Sequence, residues 1–309
     1  MMNREIIAIC GPTAVGKTEY SIDVAIHFNG EIVSCDSMQL YRYMDIGSAK
    51  PTEEEQSMVK HHLIDCIDPT EKFTVFKYQT LAKAAIEDIF SRGKTPVIAG
   101  GTGLYLNSLL YNMDFSAPPG DVAFRKQLYN EAEENGAIYI YTKLKKQAPD
   151  VAERIHPNNI KKVVRALEAL HNGETIKDFS KDPEPVTDYS VKLIGLTRNR
   201  EELYDRINKR VDLLVEQGLF QEVDNLLGRG LTENDISMKG IGYKEIIGYF
   251  SGKYSREEAI ELVKKNTRHY AKRQLTWFKR YKTMKWFNLS DFNSKSDCLE
   301  EMFAWLQKN

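Results

Sequence analysis

Long apolar runs, paired cysteines and a large net charge of either sign are all missing from this chain of 309 residues. No segment approaches the roughly 18 consecutive apolar residues that a membrane-spanning helix needs, which excludes such a helix. Met1 to Cys10 lacks the basic region and small-residue cleavage site of a signal peptide. The four cysteines, at positions 10, 35, 66 and 298, have neither disulfide nor metal-ligand spacing. They read as reduced, mostly buried thiols, as expected of a cytoplasmic protein. A formal charge of -1 excludes a generally basic coat, so any polyanion surface must be local. Neither repeats nor low-complexity segments occur. What remains is the composition of an ordinary globular protein, 42% hydrophobic and 28% charged, long enough for one large α/β domain with a smaller companion.

One absence is local. Between Glu261 and Asp291 there is no acidic residue, while Lys264, Lys265, Arg268, Lys272, Arg273, Lys279, Arg280, Lys282 and Lys285 crowd the stretch. Their helical spacing makes one face cationic, and Tyr270, Trp277, Phe278, Tyr281 and Trp286 are interleaved with them. The face is either a solvated surface over an aromatic core stripe or a footprint for a polyanion.

Apolar runs at Glu5–Cys10, Glu31–Cys35 and Thr95–Ala99 read as buried strands. Helices follow at about 17–28, at 76–91 and after Gly103. Strand, turn and helix in alternation specify a parallel sheet with helical crossovers. Residues 37–72 are irregular and polar, too long for a passive connection. From 115 to 185 no strand is expected, only helices near 121–135, 148–155 and 158–172, and prolines at 118, 119, 183 and 185 bracket the stretch. Val191–Leu196 then resumes the sheet, and the chain from Arg200 to about Met284 is helical. The expected architecture is an α/β core like that of P-loop NTPases, with helices on both faces of its sheet, formed by residues 1–114 and 186–309. Residues 115–185 form a helical insertion domain, and the C-terminal part of the core is helical.

Gly11, Pro12, Thr13, Ala14, Val15, Gly16, Lys17 and Thr18 match the phosphate-binding P-loop pattern, with a strand before and a helix after. The glycines let backbone N–H groups converge on phosphate oxygens, and the helix N-terminus adds its dipole. Lys17 supplies a charge and Thr18 a hydroxyl for Mg²⁺. Asp36 leaves the second strand at the carboxyl edge of the sheet, where ligands of open α/β folds bind. Its carboxylate could hold Mg²⁺ through water, accept a proton or cap a helix. Gly100-Gly-Thr-Gly103 leaves the third strand at the same edge, with Thr102 expected to face the same crevice. No second acidic strand end suits a Walker-B ligand.

These blocks, with Asp36-Ser-Met-Gln-Leu-Tyr41, Gly47-Ser-Ala-Lys-Pro51, His61-His-Leu-Ile-Asp65, His156-Pro-Asn158, Arg165-Ala-Leu-Glu168, Gly240-Ile-Gly-Tyr-Lys-Glu245 and Thr267-Arg-His-Tyr-Ala-Lys-Arg-Gln274, resemble the tRNA dimethylallyltransferases in their bacterial form. The resemblance implies transfer of a dimethylallyl group from its diphosphate to N6 of adenosine 37, beside the anticodon of tRNAs reading UNN codons. By it, the P-loop grips the diphosphate with Lys17, a Thr18-bound Mg²⁺ and Arg206 or Arg210, and the loop could also accept ATP. Asp36 would accept the amine proton. Ser37, Met38, Gln39 and Thr102 would contact the RNA, and Arg125, Lys161, Lys162 and Arg165 of the insertion would hold the anticodon stem-loop. The family motif carries Asp where this chain has Asn159, and a Gln-Arg pair where it has Lys161-Lys162. A monomer is expected, no long exposed apolar patch being evident. An adenylate isopentenyltransferase, a P-loop kinase or an RNA-binding protein without transferase chemistry are the alternatives.

Overall fold

A computed structural model of the chain describes residues 4–113, 121–173, 176 and 184–308. Its first half begins β1 (Glu5–Cys10), α1 (Lys17–His27), β2 (Gly30–Cys35), α2 (Glu53–Met58), β3 (His61–His62) and α3 (Val75–Ser91). Next come β4 (Thr95–Gly100) and α4 (Gly103–Leu110), then α5 (Val122–Asn135), α6 (Ala137–Gln147), α7 (Pro149–Ala152) and α8 (Ile160–His171). After β5 (Ser190–Thr197) follow α9 (Arg200–Glu216), α10 (Leu219–Gly228), α11 (Tyr243–Phe250), α12 (Arg256–Phe278), β6 (Lys285–Asn288) and α13 (Lys295–Lys308). The chain divides into two compact units, one of Met1–Asn112 with Pro185–Asn309 and one of Met113–Glu184. Among the described residues no helix is long and apolar enough to cross a membrane.

The first unit is built on six parallel strands in the order β3-β2-β4-β1-β5-β6. Its central strands are apolar throughout because successive side chains enter opposite helical layers. On β1, Ile6, Ala8 and Cys10 join one core with α3 and α4, through Tyr78, Ala82, Ile86 and Leu106. Ile7 and Ile9 join the other with α1, α9 and α13, through Val24, Ile207 and Met302. Helices therefore cover both faces, as alternation of strands and helices implies.

Four elements of this unit have no counterpart in the sequence reading. The stretch 37–72 is mostly irregular, yet Thr52 and Glu55 form a reciprocal capping box that starts α2, and β3 adds a two-residue edge strand to β2. After Met284, β6 pairs with β5 and α13 closes the second core. Four residues are too few for alternation to announce β6.

The second unit is a helical bundle around Leu128, Ile140, Leu144, Val151, Val163, Val164 and Leu167. The expected 148–155 helix shortens to α7, and the expected 158–172 helix is α8, capped by Asn159, whose side chain accepts from the Lys162 N–H. Sequence reading gives no element over 137–147, where α6 forms. Its β-branched and aromatic residues disfavour helix locally, and burial of Ile140 and Leu144 overrides that preference. Pro118, Pro119 and Pro183, read as hinges, lie outside the described residues.

Candidate functional site

Cys10, Cys35 and Gly100 end β1, β2 and β4 at one level, Gly100 being in register with both cysteines. The loops that follow these strands therefore leave the sheet side by side. Gly100 cannot be another residue, because an added Cβ would stand 2.1 Å from the Cys35 carbonyl oxygen.

The first loop turns into α1 through Gly16 at φ 114, a backbone conformation that glycine adopts without strain. Its outer carbonyls are held from behind: Arg198 Nε donates to Val15 O and Arg206 Nε to Ala14 O, both at 3.0 Å. Lys17 Nζ donates to Pro12 O at 2.9 Å. Burial lowers the Lys17 pKa from 10.5 to about 8; the nearby Asp36 carboxylate opposes this shift and Arg210 adds to it.

A cavity of about 680 Å³ opens beside the loop and is lined by Thr13, Ala14, Gly16, Lys17 and Thr18. Asp36, Ser37, Met38 and Gln39 from the second loop line it too, as do Arg210 of α9 and Tyr270 and Arg273 of α12. Arg210, not Arg206, reaches this space. Burial depresses the Arg210 pKa, while Asp36 pulls it up. Among the described residues neither arginine has a carboxylate within ion-pair distance, so the surface ion pair that either could form is not made. The cavity also has an apolar wall, formed by Ile207, Val211, Leu214, Leu219 and Val263.

Asp36 does not cap a helix. Its Oδ1 accepts from the Met38 N–H at 2.9 Å in a turn, and Oδ2 has no partner among the described residues. Beside it lies the Tyr270 phenol, whose pKa is raised by burial and by the Asp36 charge.

Two residues expected to read RNA already have internal partners. Gln39 lines the cavity but accepts from Ser34 Oγ at 2.9 Å and donates to the Ala49 carbonyl at 3.3 Å, which fixes the amide and leaves one N–H and one lone pair. Thr102 does not line the cavity; its Oγ1 accepts from the Ser37 N–H at 3.1 Å. Ser37 and Met38 remain at the cavity wall.

Sequence reasoning missed the carboxylate that shapes the wall opposite. Glu222, buried on α10, accepts from the N–H groups of Asp45, Ile46 and Gly47 at 2.7, 2.7 and 2.9 Å, and from the Tyr243 hydroxyl at 2.8 Å. Gly47 is required there, since an added Cβ would meet the Tyr243 ring at 2.5 Å. Replacing Glu222 with alanine strands three part-buried N–H groups and the buried Tyr243 hydroxyl, and is expected to cost about 3 kcal/mol. Urea unfolding measures it, and a loss under about 0.5 kcal/mol would show that the loop holds itself.

In the second unit, Lys161, Lys162 and Arg165 form the exposed face of α8, and none has a carboxylate partner among the described residues. Arg125 differs: its Nε pairs with the buried carboxylate of Glu168 at 2.5 Å, which fixes its guanidinium and leaves only the outer N–H groups free. On α12, Lys265, Lys272 and Arg273 are exposed, while Lys264 is tied to Asp212 and Glu261, and Arg268 to Asn208. The cationic face thus consists of the first group.

A parallel sheet with a P-loop after β1, and with Asp36 directly after β2, two strands away across β4, lining the same cavity, defines a P-loop-like α/β protein. The chain belongs to the IPP transferase family, whose model matches residues 39–281. It is 54% identical to a tRNA dimethylallyltransferase of Alkaliphilus oremlandii over 97% of this chain and 96% of the relative. The tRNA isopentenylpyrophosphate transferase structure from Bacillus halodurans is 42% identical, with a TM-score of 0.75 over 99% of this chain and 96% of that one. A eukaryotic dimethylallyltransferase captured acting on tRNA superposes with a TM-score of 0.82 at 28% identity, covering 99% of this chain and 80% of its own.

Proposed function

We propose that this chain transfers a dimethylallyl group from dimethylallyl diphosphate to N6 of adenosine 37 in tRNAs reading UNN codons, releasing diphosphate. The observation that carries this reading is the meeting of Lys17, Arg210 and the half-free carboxylate of Asp36 in one cavity. Two cations with no carboxylate at ion-pair distance among the described residues suit a diphosphate, and a carboxylate near both suits a nucleophile that must shed a proton.

In the proposed reaction, the adenine amine attacks the allylic carbon, the carbon–oxygen bond to diphosphate breaks, and the amine proton passes to Asp36. Lys17 and Arg210 neutralise the charge that grows on the leaving diphosphate. The apolar wall of α9 and α10 suits the hydrocarbon. Thr18 offers one hydroxyl to the cavity, a donor set that fits Mg²⁺, which takes few protein oxygens and completes its shell with phosphate and water. When bound, Mg²⁺ supplies further neutralisation of the diphosphate. Exposed Lys161, Lys162 and Arg165 are assigned to the anticodon stem-loop backbone, as are Lys265, Lys272 and Arg273. The protein is read as a cytoplasmic monomer, and ATP as a weaker occupant of the P-loop.

The competing acceptor is a free adenylate, which has no use for the cationic faces of α8 and α12. Offering unmodified tRNA and AMP together with labelled dimethylallyl diphosphate separates the two. Label is expected in the anticodon loop; label in AMP alone would overturn the assignment.

The depressed Lys17 pKa adds a pH dependence. In the ligand-free protein Lys17 loses its charge as pH rises past about 8, and a bound diphosphate restores it. Affinity for dimethylallyl diphosphate is therefore expected to fall from about pH 8 upward. The contribution of Lys17 to folding stability runs the other way, because its folded pKa lies below the unfolded value: the burial penalty is greatest below pH 8 and fades towards 10.5. Calorimetric titration with the diphosphate across this range checks the first, and an affinity that is flat to about pH 10 would contradict it.

A further inference from the structure

Gln274 is 5% exposed and sits on α12 one turn beyond Tyr270, where it contacts both the P-loop and the loop that follows β4. Its Oε1 accepts from the Thr13 N–H of the P-loop at 2.9 Å, and its Nε2 donates to the Gly101 carbonyl at 3.0 Å. The next residue, Thr102, donates its N–H to the Cys35 carbonyl at 3.1 Å and accepts from the Ser37 N–H at 3.1 Å. A continuous path thus runs from Thr13 through Gln274, Gly101, Thr102 and Ser37 to Asp36. A primary amide serves both ends of the link, whereas a carboxylate cannot donate and an ammonium cannot accept. The fit is mutual: an added Cβ at Gly101 would stand 2.3 Å from Nε2.

We propose that Gln274 is a positioning residue that fixes the spacing between the diphosphate loop and the loop that presents the base. It touches no reacting atom. The inference rests on the transferase reading above, in which the leaving diphosphate and the proton acceptor belong to these two loops. Reacting groups must approach to about 3–3.5 Å, and a misplacement of about 1 Å costs on the order of 100-fold in rate. A bridge between the two loops therefore acts on turnover more than on the affinity of either half.

Gln274→Met keeps the volume and removes both hydrogen bonds. Single-turnover transfer at saturating substrates is expected to fall about 10–100-fold, while the Kd for dimethylallyl diphosphate moves less than about threefold. Thr102→Val breaks the next link, and the double variant should be no slower than the slower single variant, because both cut one path. Should Gln274→Met fail to fold, Gln274→Glu retains the acceptor for Thr13, loses the donor to Gly101, and should show the same split. A rate within about twofold of wild type, multiplicative losses in the double variant, or a loss confined to diphosphate affinity would each overturn the proposal. Wild type run in parallel separates the failures. If it transfers and the variant is unchanged, only the positioning role falls; if it does not transfer, the functional reading falls and takes this inference with it.

Discussion

Asp36→Asn is expected to lower the rate of dimethylallyl transfer by about 10²–10⁴-fold, the usual worth of a positioned general base. The loss should fall on kcat. Asparagine keeps an oxygen for the Met38 N–H, so the turn that Asp36 Oδ1 now holds at 2.9 Å survives. It removes the oxygen that has no partner, and with it the proton acceptor. It also removes a negative charge that lies close to both Lys17 and Arg210. Affinity for dimethylallyl diphosphate should therefore stay the same or rise. This combination, slow transfer with undiminished diphosphate binding, distinguishes a base from a residue that merely shapes the loop. Parallel measurement of single-turnover rate and diphosphate Kd reads both. Transfer by the variant at the wild-type rate would remove Asp36 from the chemistry.

The second large effect concerns the two arginines of α9. Arg210→Ala is expected to reduce kcat/KM about 10²–10³-fold, the range found when one donor to a developing oxyanion is lost from a closed site. Arg210 lines the cavity and has no carboxylate partner among the described residues. Arg206 stands one turn earlier and is occupied with the Ala14 carbonyl. It supports the P-loop from outside, so Arg206→Ala should cost about tenfold or less, through a loosened loop. Steady-state kinetics on the two variants decides between them. A larger loss at position 206 than at 210 would reverse the assignment.

The contrast between these arginines shows where sequence reading stops. Their spacing put both on one helix face, but which one turns into the cavity depends on how α9 packs against the P-loop, and no local pattern encodes that. The P-loop and Asp36 were legible because their signals are local. A glycine-rich turn after a buried strand has few other uses, and a carboxylate at a strand end falls at the sheet edge by register. The four strands from β1 to β5 that lie within the sheet were legible for a related reason: burial on both faces makes them apolar without interruption. β6 and α6 were not, being respectively too short and locally contrary to the structure that packing imposes.

Gln274 and Glu222 were hidden for a third reason. Each takes its meaning from partners far along the chain, Thr13 lying 261 residues from Gln274 and Gly47 lying 175 from Glu222. Nothing around either residue signals a buried side chain that braces a distant loop. Gln39 and Arg125 carry the converse lesson. Their residue types suit RNA, and the fold adds internal partners that no local pattern announces, Ser34 and Ala49 for the Gln39 amide and Glu168 for the Arg125 Nε.

On the proposed function, the loop from Gly11 to Thr18 holds a leaving diphosphate and does not pass on a phosphoryl group. Dimethylallyl diphosphate labelled separately in its hydrocarbon and in its phosphate, incubated with the protein, Mg²⁺ and unmodified tRNA, tests this in one reaction. Hydrocarbon label is expected on the adenosine beside the anticodon, with an equal amount of phosphate label released as inorganic diphosphate. Phosphate label on the RNA, or hydrocarbon label that never leaves the diphosphate, would contradict it.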